Sequence, residues 1–441
     1  MPEVTLNQML DAREQRAKNQ QLMLETYKCP LICFTMNIAG PVKTSPLIER
    51  SFREGLRLLK ISLPKESIRG RRTDISATGC EAMLAVDIDA SALKKICEQI
   101  EESCALGRLF DMDVLDTDGK KLERSNMRGC IVCGAAGRGC SARRLHSLTR
   151  LQGTMHEIMR EHFEKYDKEK TASLAVESLI AEARTTPKPG LVDMRNNGSH
   201  TDMSIDTFIK SANALKPYFY TCIEIGQKSA GSPAEETFPT LREAGIAAEK
   251  VMYNTTGGAN THKGAIYSMG ILCAAFGRLW TPQLPVTDVK KLLSECAKIV
   301  SRSTKEDFRN MDTSTAGGRL YLEYGLTGIR GEVAAGFPSV QKFGLPKYKK
   351  ALEEGLCHND AGAVTLLNLV ANVEDTNLYH RGGKEGRQYA ARQAQMLLEI
   401  LPCPTAKQIE AVDDAFIEKN LSPGGSADLL AITYFLHNLN T

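Results

Sequence analysis

"SARRLHSLTRLQGTMHEIMREHFEKYDKEKTAS", Ser141–Ser173, is where the pattern of the chain changes. Leu145, Leu148, Leu151, Met155 and Ile158 recur every three or four residues, the spacing of one helix face. Upstream, short apolar runs alternate with helical stretches; downstream, almost every apolar repeat is helical in period. The charged segment Glu164–Ser173 reads as a boundary or short linker. Two domains follow: an α/β domain over 1–167 and an all-α domain over 168–441.

A chain of 441 residues accommodates two or three domains, and 42% hydrophobic with 25% charged residues is an ordinary globular composition. The formal charge of +3 gives no basis for a general nucleic-acid or membrane-surface binder. No apolar run reaches the roughly 20 residues that cross a bilayer. The N-terminus, "MPEVTLNQMLDAREQRAKNQQ", has no signal-like apolar block, and Leu6, Met9 and Leu10 suggest one face of an amphipathic helix. The 13 cysteines therefore read as cytosolic thiols or metal ligands, not a disulfide framework, and a cytoplasmic location is expected.

In the first half, "LICFTMNIAG" (Leu31–Gly40) and "CEAMLAVDI" (Cys80–Ile88) read as strands. "SALKKICEQIEE" (Ser91–Glu102) reads as a helix capped by Asp89. "RLFDMDVLDTDGKKLER" (Arg108–Arg124) predicts a strand, a turn at Asp116–Gly119 and a return strand. Asp111 and Asp113, two apart on a strand, face the same side. Like charges so placed are costly unless a cation lies between them, an arrangement used in metal-dependent phosphoryl and nucleotidyl transfer. An edge strand with solvated carboxylates gives the same pattern. Cys130, Cys133, Cys140 and His146 are spaced C-x2-C-x6-C-x5-H, which can form a tetrahedral zinc site; buried cytosolic thiols are the alternative. Arg138, Arg143 and Arg144 beside them suit phosphate.

In the second half, "TTGGANTHKGAIYSMGILCAAFG" (Thr255–Gly277) runs from paired glycines into Ile266, Met269, Cys273 and Phe276, with Trp280 beyond, which is the repeat of a buried helix. Its start is expected near Asn260 or Thr261. A first helical turn presents unpaired N–H donors and a positive dipole end. Gly257 and Gly258 admit an anion close to the backbone, Asn260, Thr261 and His262 add directed hydrogen bonds, and Lys263 adds charge. Phosphate suits that set; a capped helix with a solvated lysine is the plain alternative. It is not a Walker motif, because the Gly–Lys spacing is wrong and Gly264 stands where Ser or Thr belongs. Polar loops recur in "TTPKPGLVDMRNNGSHTDM" (Thr185–Met203), "GLTGIRGEVAAGFP" (Gly325–Pro338), "EDTNLYHRGG" (Glu374–Gly383) and "SPGGSADLL" (Ser422–Leu430). Together they suit a polyphosphate with a divalent metal.

The blocks "TPKPGLVD…NNGSHTDM", "TTGGANTHKGA", "GIRGE", "DTNLYHRGG" and "SPGGSADLLA", in that order over 168–441, resemble the triphosphoribosyl-dephospho-CoA synthase family. That resemblance implies an all-α enzyme joining ATP to 3′-dephospho-CoA with loss of adenine, making the precursor of the citrate lyase prosthetic group. It implies triphosphate binding by Lys188, Gly257, Gly258, Asn260, Thr261, Lys263, Arg330 and Arg381, and magnesium binding by Asp193, Asp202 and Asp375. Glu332 or Glu249 would be the base for the ribose 2′-hydroxyl, and His200 or His262 the acid near adenine.

"FTMNIAGPVKTSPLIERSF", "GRLFDMDV" and "RGCIVC…CSARRLHS", over about 5–160, resemble the holo-acyl-carrier-protein synthase of citrate lyase. Ala39 stands where that family leads one to expect proline. The resemblance implies a nucleotidyltransferase-like phosphoribosyl-dephospho-CoA transferase. A serine of the apo acyl-carrier (gamma) subunit would attack the innermost phosphorus, and pyrophosphate would leave. Asp111 and Asp113 would hold magnesium, while Lys43, Arg108, Arg143 and Arg144 receive the pyrophosphate. The product of the helical half would be the substrate of the first half, so a bifunctional enzyme is expected. The rivals are the same chemistry serving malonate decarboxylase and a non-catalytic zinc- and nucleotide-binding interaction protein.

Overall fold

The computed structural model describes residues 3–135, 140, 143–400 and 403–439. Two compact units divide it: Met1–Tyr166 with Thr281–Pro285, and Asp167–Trp280 with Val286–Thr441.

The first unit contains α1 (Leu6–Tyr27), β1 (Leu31–Met36), α2 (Pro46–Ser62), β2 (Ile68–Ser76), β3 (Gly79–Val86), α3 (Ala90–Glu102), β4 (Phe110–Leu115) and the first part of α4 (Leu148–Arg184). The strands form one antiparallel sheet in the order β2-β3-β1-β4. Phe34 stacks on Phe52 of α2 at 4.9 Å and meets Phe110 edge-on at 5.3 Å, the offset and T-shaped contacts aromatic rings favour. Gly55 lets α2 approach, because a side chain there would strike the Phe34 ring. On the other face, Met23 of α1 packs on Leu31, Cys33 and Met83. Asp89 caps α3 as expected, accepting the Ala92 N–H at 2.9 Å.

Several expectations change. Leu6 and Leu10 are 75% and 47% exposed, so α1 is anchored by Met23 and by the Arg16–Glu81 pair, not by its first turns. The return strand shrinks to a single bridge, Leu115 to Lys121, because Arg124 is drawn onto Glu101 and Glu102 instead. Leu145 and Leu148 are exposed, whereas Met155, Met159 and Phe163 are buried. The helical period holds there, but its phase is shifted. The division between the two units falls inside the charged stretch Glu164–Ser173, as expected, but there is no linker there, for α4 runs through it unbroken. Its charges are paired: Asp167 accepts from Trp280 Nε1 at 2.8 Å, and Lys168 meets Glu224 at 3.2 Å.

The second unit takes the rest of α4, then α5 (Ile205–Ala214), α6 (Lys216–Ser229), α7 (Phe238–Thr256), α8 (Lys263–Leu279), α9 (Val289–Arg309), α10 (Ala316–Tyr324), α11 (Gly328–Ala334), α12 (Leu345–Glu353), α13 (His358–Asn372), α14 (Thr376–Leu398), α15 (Ala406–Glu418) and α16 (Gly424–Asn438). No strand occurs among its described residues. Helix α8 is enclosed along nearly its whole length. The backbone of α6 can approach it because Gly226 lies against the Ala274 backbone and Gly277 against the Ile223 carbonyl. Burial of α8 leaves its polar N-terminal end as the part able to meet a ligand. No helix among the described residues is long and apolar enough to cross a membrane.

Candidate functional site

Helix α8 starts at Lys263, two to three residues later than expected, because the preceding residues brace the turn. Asn260 Oδ1 accepts the Lys263 N–H at 3.3 Å, and Thr261 and His262 both bond Ser211 Oγ, at 2.8 and 2.9 Å. Gly257, at φ +68°, ends α7 in the left-handed conformation that favours glycine. No atom lies within 4 Å of the space a side chain at Gly257 or Gly258 would fill, so the backbone is open there.

Beside this end lies a cavity of about 320 Å³ lined by Arg242, Glu249, Lys263, Tyr267, Asp307 and Arg330 among others. Lys263 pairs with Glu249 at 3.1 Å, and Asp307 pairs with Arg242 at 2.7 Å and Arg330 at 3.7 Å. Three cations thus face two carboxylates, an excess that favours an anion. A second cavity, of about 370 Å³, is lined by Glu332, Ser339, Asp375 and Gly425 among others. Glu332 accepts the Ser339 hydroxyl at 2.5 Å and its N–H at 3.2 Å, and burial pushes its carboxyl above the usual range. Helix α11 carries Arg330 to the first cavity and Glu332 to the second.

His200, Asp202 and Arg381 form a third group. Arg381 donates to His200 Nδ1 at 3.3 Å, and His200 Nε2 lies 2.9 Å from Ser422 Oγ. A guanidinium only donates, so Nδ1 accepts and the imidazole proton sits on Nε2, directed at Ser422. Burial and Arg381 lower the His200 pKa. The Nε2 proton of His200 is thus engaged by Ser422, and the ring lines neither cavity. Asp202 lies 4.0 Å from His200 with its carboxylate 60% exposed, and it does not line the cavity of Lys263 and Arg330.

Four further candidates are held in contacts within the protein. Lys188 is 1% exposed and binds Glu182 Oε1 at 2.5 Å and the Glu182 carbonyl at 2.8 Å, so it has no approach to a phosphate. Asp193 accepts N–H groups of Lys188, Arg195 and Asn196, and organises its own loop instead of a metal. Asp375 accepts from Asn377, Leu378 and both donors of Ser426, which occupies its oxygens. His262 is 3% exposed and faces Phe208, and burial pulls its pKa down to about 3, which weighs against it as an acid at neutral pH.

Residues not singled out from sequence also matter. Arg242 and Asp307 lie inside helical repeats, where a charge reads as a solvated face. Asp413 holds Gly190, Arg195 and Asn196 through three hydrogen bonds of 2.6–2.8 Å. Asp428 abuts Gly264, and its pKa is raised well above the usual value by burial and then by Glu182 and Asp375. Its place four residues after Gly424 in "SPGGSADLL" was the available signal.

In the first unit, Asp111 and Asp113 do share one face of β4, opposite Thr35 and Cys33 of β1. Asp113 pairs with Lys121 at 2.5 Å, while desolvation and then Asp113 raise the Asp111 pKa. That like-charge cost is what a divalent cation relieves. The start of β4 gathers other candidates. Asn37, which opens the loop to Lys43, bonds the Leu109 carbonyl at 2.8 Å. Arg108 donates to the Gly129 carbonyl at 2.5 Å. Lys43 donates to the Ile38 carbonyl at 2.6 Å, and desolvation followed by Arg13 lowers its pKa. Arg143 and Arg144 are exposed; Arg138 lies outside the described residues. Cys130, Cys133, Cys140 and His146 come together, all four ligand atoms within 4.8 Å of one another. Neighbouring N–H groups hold the Cys130 thiol down to about 6, while Cys133 pushes Cys140 up to about 11.

Residues 168–441 match the CitG family, described as ATP:dephospho-CoA triphosphoribosyl transferase. Residues 4–162 match the CitX family, described as apo-citrate lyase phosphoribosyl-dephospho-CoA transferase. Protein CitXG of Haemophilus influenzae is 38% identical over 456 residues, covering 98% of this chain and 96% of that protein. Protein CitXG of Leuconostoc mesenteroides subsp. cremoris is 31% identical, covering 99% and 97%. A probable 2-(5''-triphosphoribosyl)-3'-dephosphocoenzyme-A synthase of Vibrio cholerae is 41% identical over 271 residues, covering 60% of this chain and 87% of that protein.

Proposed function

The chain belongs to the CitXG family, and from that membership we propose how its residues divide the work of making and attaching the citrate lyase prosthetic group. The protein is a bifunctional transferase. Its helical part joins ATP to 3′-dephospho-CoA, releasing adenine and forming 2′-(5″-triphosphoribosyl)-3′-dephospho-CoA. Its N-terminal part transfers phosphoribosyl-dephospho-CoA to apo-citrate lyase.

In the helical part, Arg242, Lys263 and Arg330 grip the triphosphate, helped by the open backbone at Gly257 and Gly258 and by the first turn of α8. The observation that carries this is that Lys263 and Arg330, 67 positions apart by their numbers, line one cavity with a surplus of positive charge. Holding the phosphates fixes the ribose anomeric carbon while adenine departs through an oxocarbenium-like transition state. Glu332, kept short of water in the adjoining cavity, takes the proton of the attacking 2′-hydroxyl. Glu249, paired with Lys263, balances charge until phosphate arrives. Arg381 and His200 steady the loop beside Asp202, the carboxylate left available for magnesium.

In the N-terminal part, Asp111 and Asp113 would hold magnesium, which supplies charge neutralisation at the reacting phosphate. Their shared strand face supports a nucleotidyltransferase-like chemistry. Arg108, Lys43, Arg143 and Arg144 receive the departing pyrophosphate. The acceptor is a serine of the acyl-carrier (gamma) subunit, and the cytoplasm supplies both nucleotides.

Adenine release from ATP and 3′-dephospho-CoA tests the helical site. Lys263→Ala and Arg330→Ala are each expected to lower kcat/KM about 100-fold, as losing a phosphate clamp does. Rates within about twofold of the unsubstituted enzyme would contradict the assignment.

A further inference from the structure

We propose that Cys130, Cys133, Cys140 and His146 bind one zinc ion, which closes the segment after β4 into one loop. The four ligand atoms lie within 4.8 Å of one another, although the residues span 17 positions by their numbers. Cys133 Sγ and Cys140 Sγ are 3.5 Å apart. A tetrahedral zinc with Zn–S bonds of about 2.3 Å needs sulfurs about 3.8 Å apart, so little movement is required. His146 contributes a second, independent sign: its Nε2 is buried and has no hydrogen-bond partner. An orphaned imidazole nitrogen beside three sulfurs is accounted for by a metal.

The backbone is built around the same point. Cys130 N–H bonds the Ala135 carbonyl at 2.8 Å, and Gly134 N–H bonds the Cys130 carbonyl at 2.9 Å. Gly134 takes φ +71°, which turns the chain back and brings the Cys133 side chain toward Cys130. The Val132 N–H points at Cys130 Sγ from 3.5 Å, the kind of donor that steadies a thiolate ligand. Three thiolates and one imidazole favour zinc over magnesium or calcium, and the thiols lose their protons as the ion binds.

The consequence for the fold is local. Arg108 holds the Gly129 carbonyl, and Arg128 holds the Phe110 carbonyl at 2.6 Å and Glu101 at 2.5 Å. One side of the proposed site is therefore tied to the strand of Asp111. The other side carries Arg143 and Arg144 between Cys140 and His146. The ion fixes that arginine loop, and this conclusion does not depend on which reaction the unit performs.

The test uses the full chain, purified without chelators from zinc-supplemented cells, with metal measured by plasma mass spectrometry. About one zinc per chain is expected, with X-ray absorption giving three sulfurs near 2.3 Å and one nitrogen near 2.0–2.1 Å. The Cys130→Ser/Cys133→Ser double variant should lose at least about nine-tenths of the zinc. Cys357→Ser, a control on an exposed cysteine outside the site, should keep it. Absorption on the unsubstituted protein decides the matter even if the double variant fails to fold. Zinc below about one-tenth per chain, zinc retained by the double variant, an oxygen-only shell, or a Cys133–Cys140 disulfide in the intact mass would each overturn the proposal.

Discussion

Lys188 shows how burial reverses the meaning of a charge. Among prolines and a glycine it reads as a hook for phosphate, yet it is enclosed with Glu182 at 2.5 Å. Removing it would strand a carboxylate away from water. Lys188→Met should therefore destabilise the protein by about 3–5 kcal/mol in urea denaturation, and adding Glu182→Leu should recover most of that loss. Unchanged stability with a raised KM for ATP would return Lys188 to the phosphate site. Glu332 carries a prediction in pH. Burial raises its pKa above the ordinary 4.5, so the basic form is lost as pH falls through a point above that value. The acid limb of kcat/KM for adenine release should lie above pH 4.5, and Glu332→Gln should remove activity across the range. Stability runs the other way: the folded state holds this proton more tightly, so its contribution declines as pH rises from 4.5 through the raised value.

Among the elements, helices announced themselves best. The apolar repeat of α8 and the Asp89 cap were legible because each depends on neighbours within one or two turns. What failed depended on partners distant in sequence. The charges inside α4 look like a linker until Trp280 and Glu224 are seen to satisfy them. Strand β2 has a largely exposed, charged pattern, and only its pairing with β3 makes it a strand. Asp375 belongs to the same class, since it joins the first turns of α14 and α16. Asp375→Ala should cost about 2 kcal/mol and lower the thermal midpoint, because two helix starts lose their acceptor. Asp375→Asn, which keeps one acceptor oxygen, should cost less and leave magnesium-dependent adenine release intact. Loss of that activity at full stability would make Asp375 a metal ligand after all.

At the scale of the molecule, five polar blocks scattered through the helical half were legible as one chemistry, and four of them line two cavities joined by α11. The order of the blocks carried the family; the role of each residue did not follow, because a buried carboxylate and a free one look alike in a sequence. The central claim is that adenine release and carrier modification use separate sites on one chain. The direct measurement incubates full-length Asp111→Asn with ATP, 3′-dephospho-CoA, magnesium and apo carrier, following adenine by chromatography and the carrier by intact mass. Adenine release should stay within about twofold of the unsubstituted enzyme while the carrier mass remains unchanged. Loss of both activities, or carrier modification at the unsubstituted rate, would contradict that division.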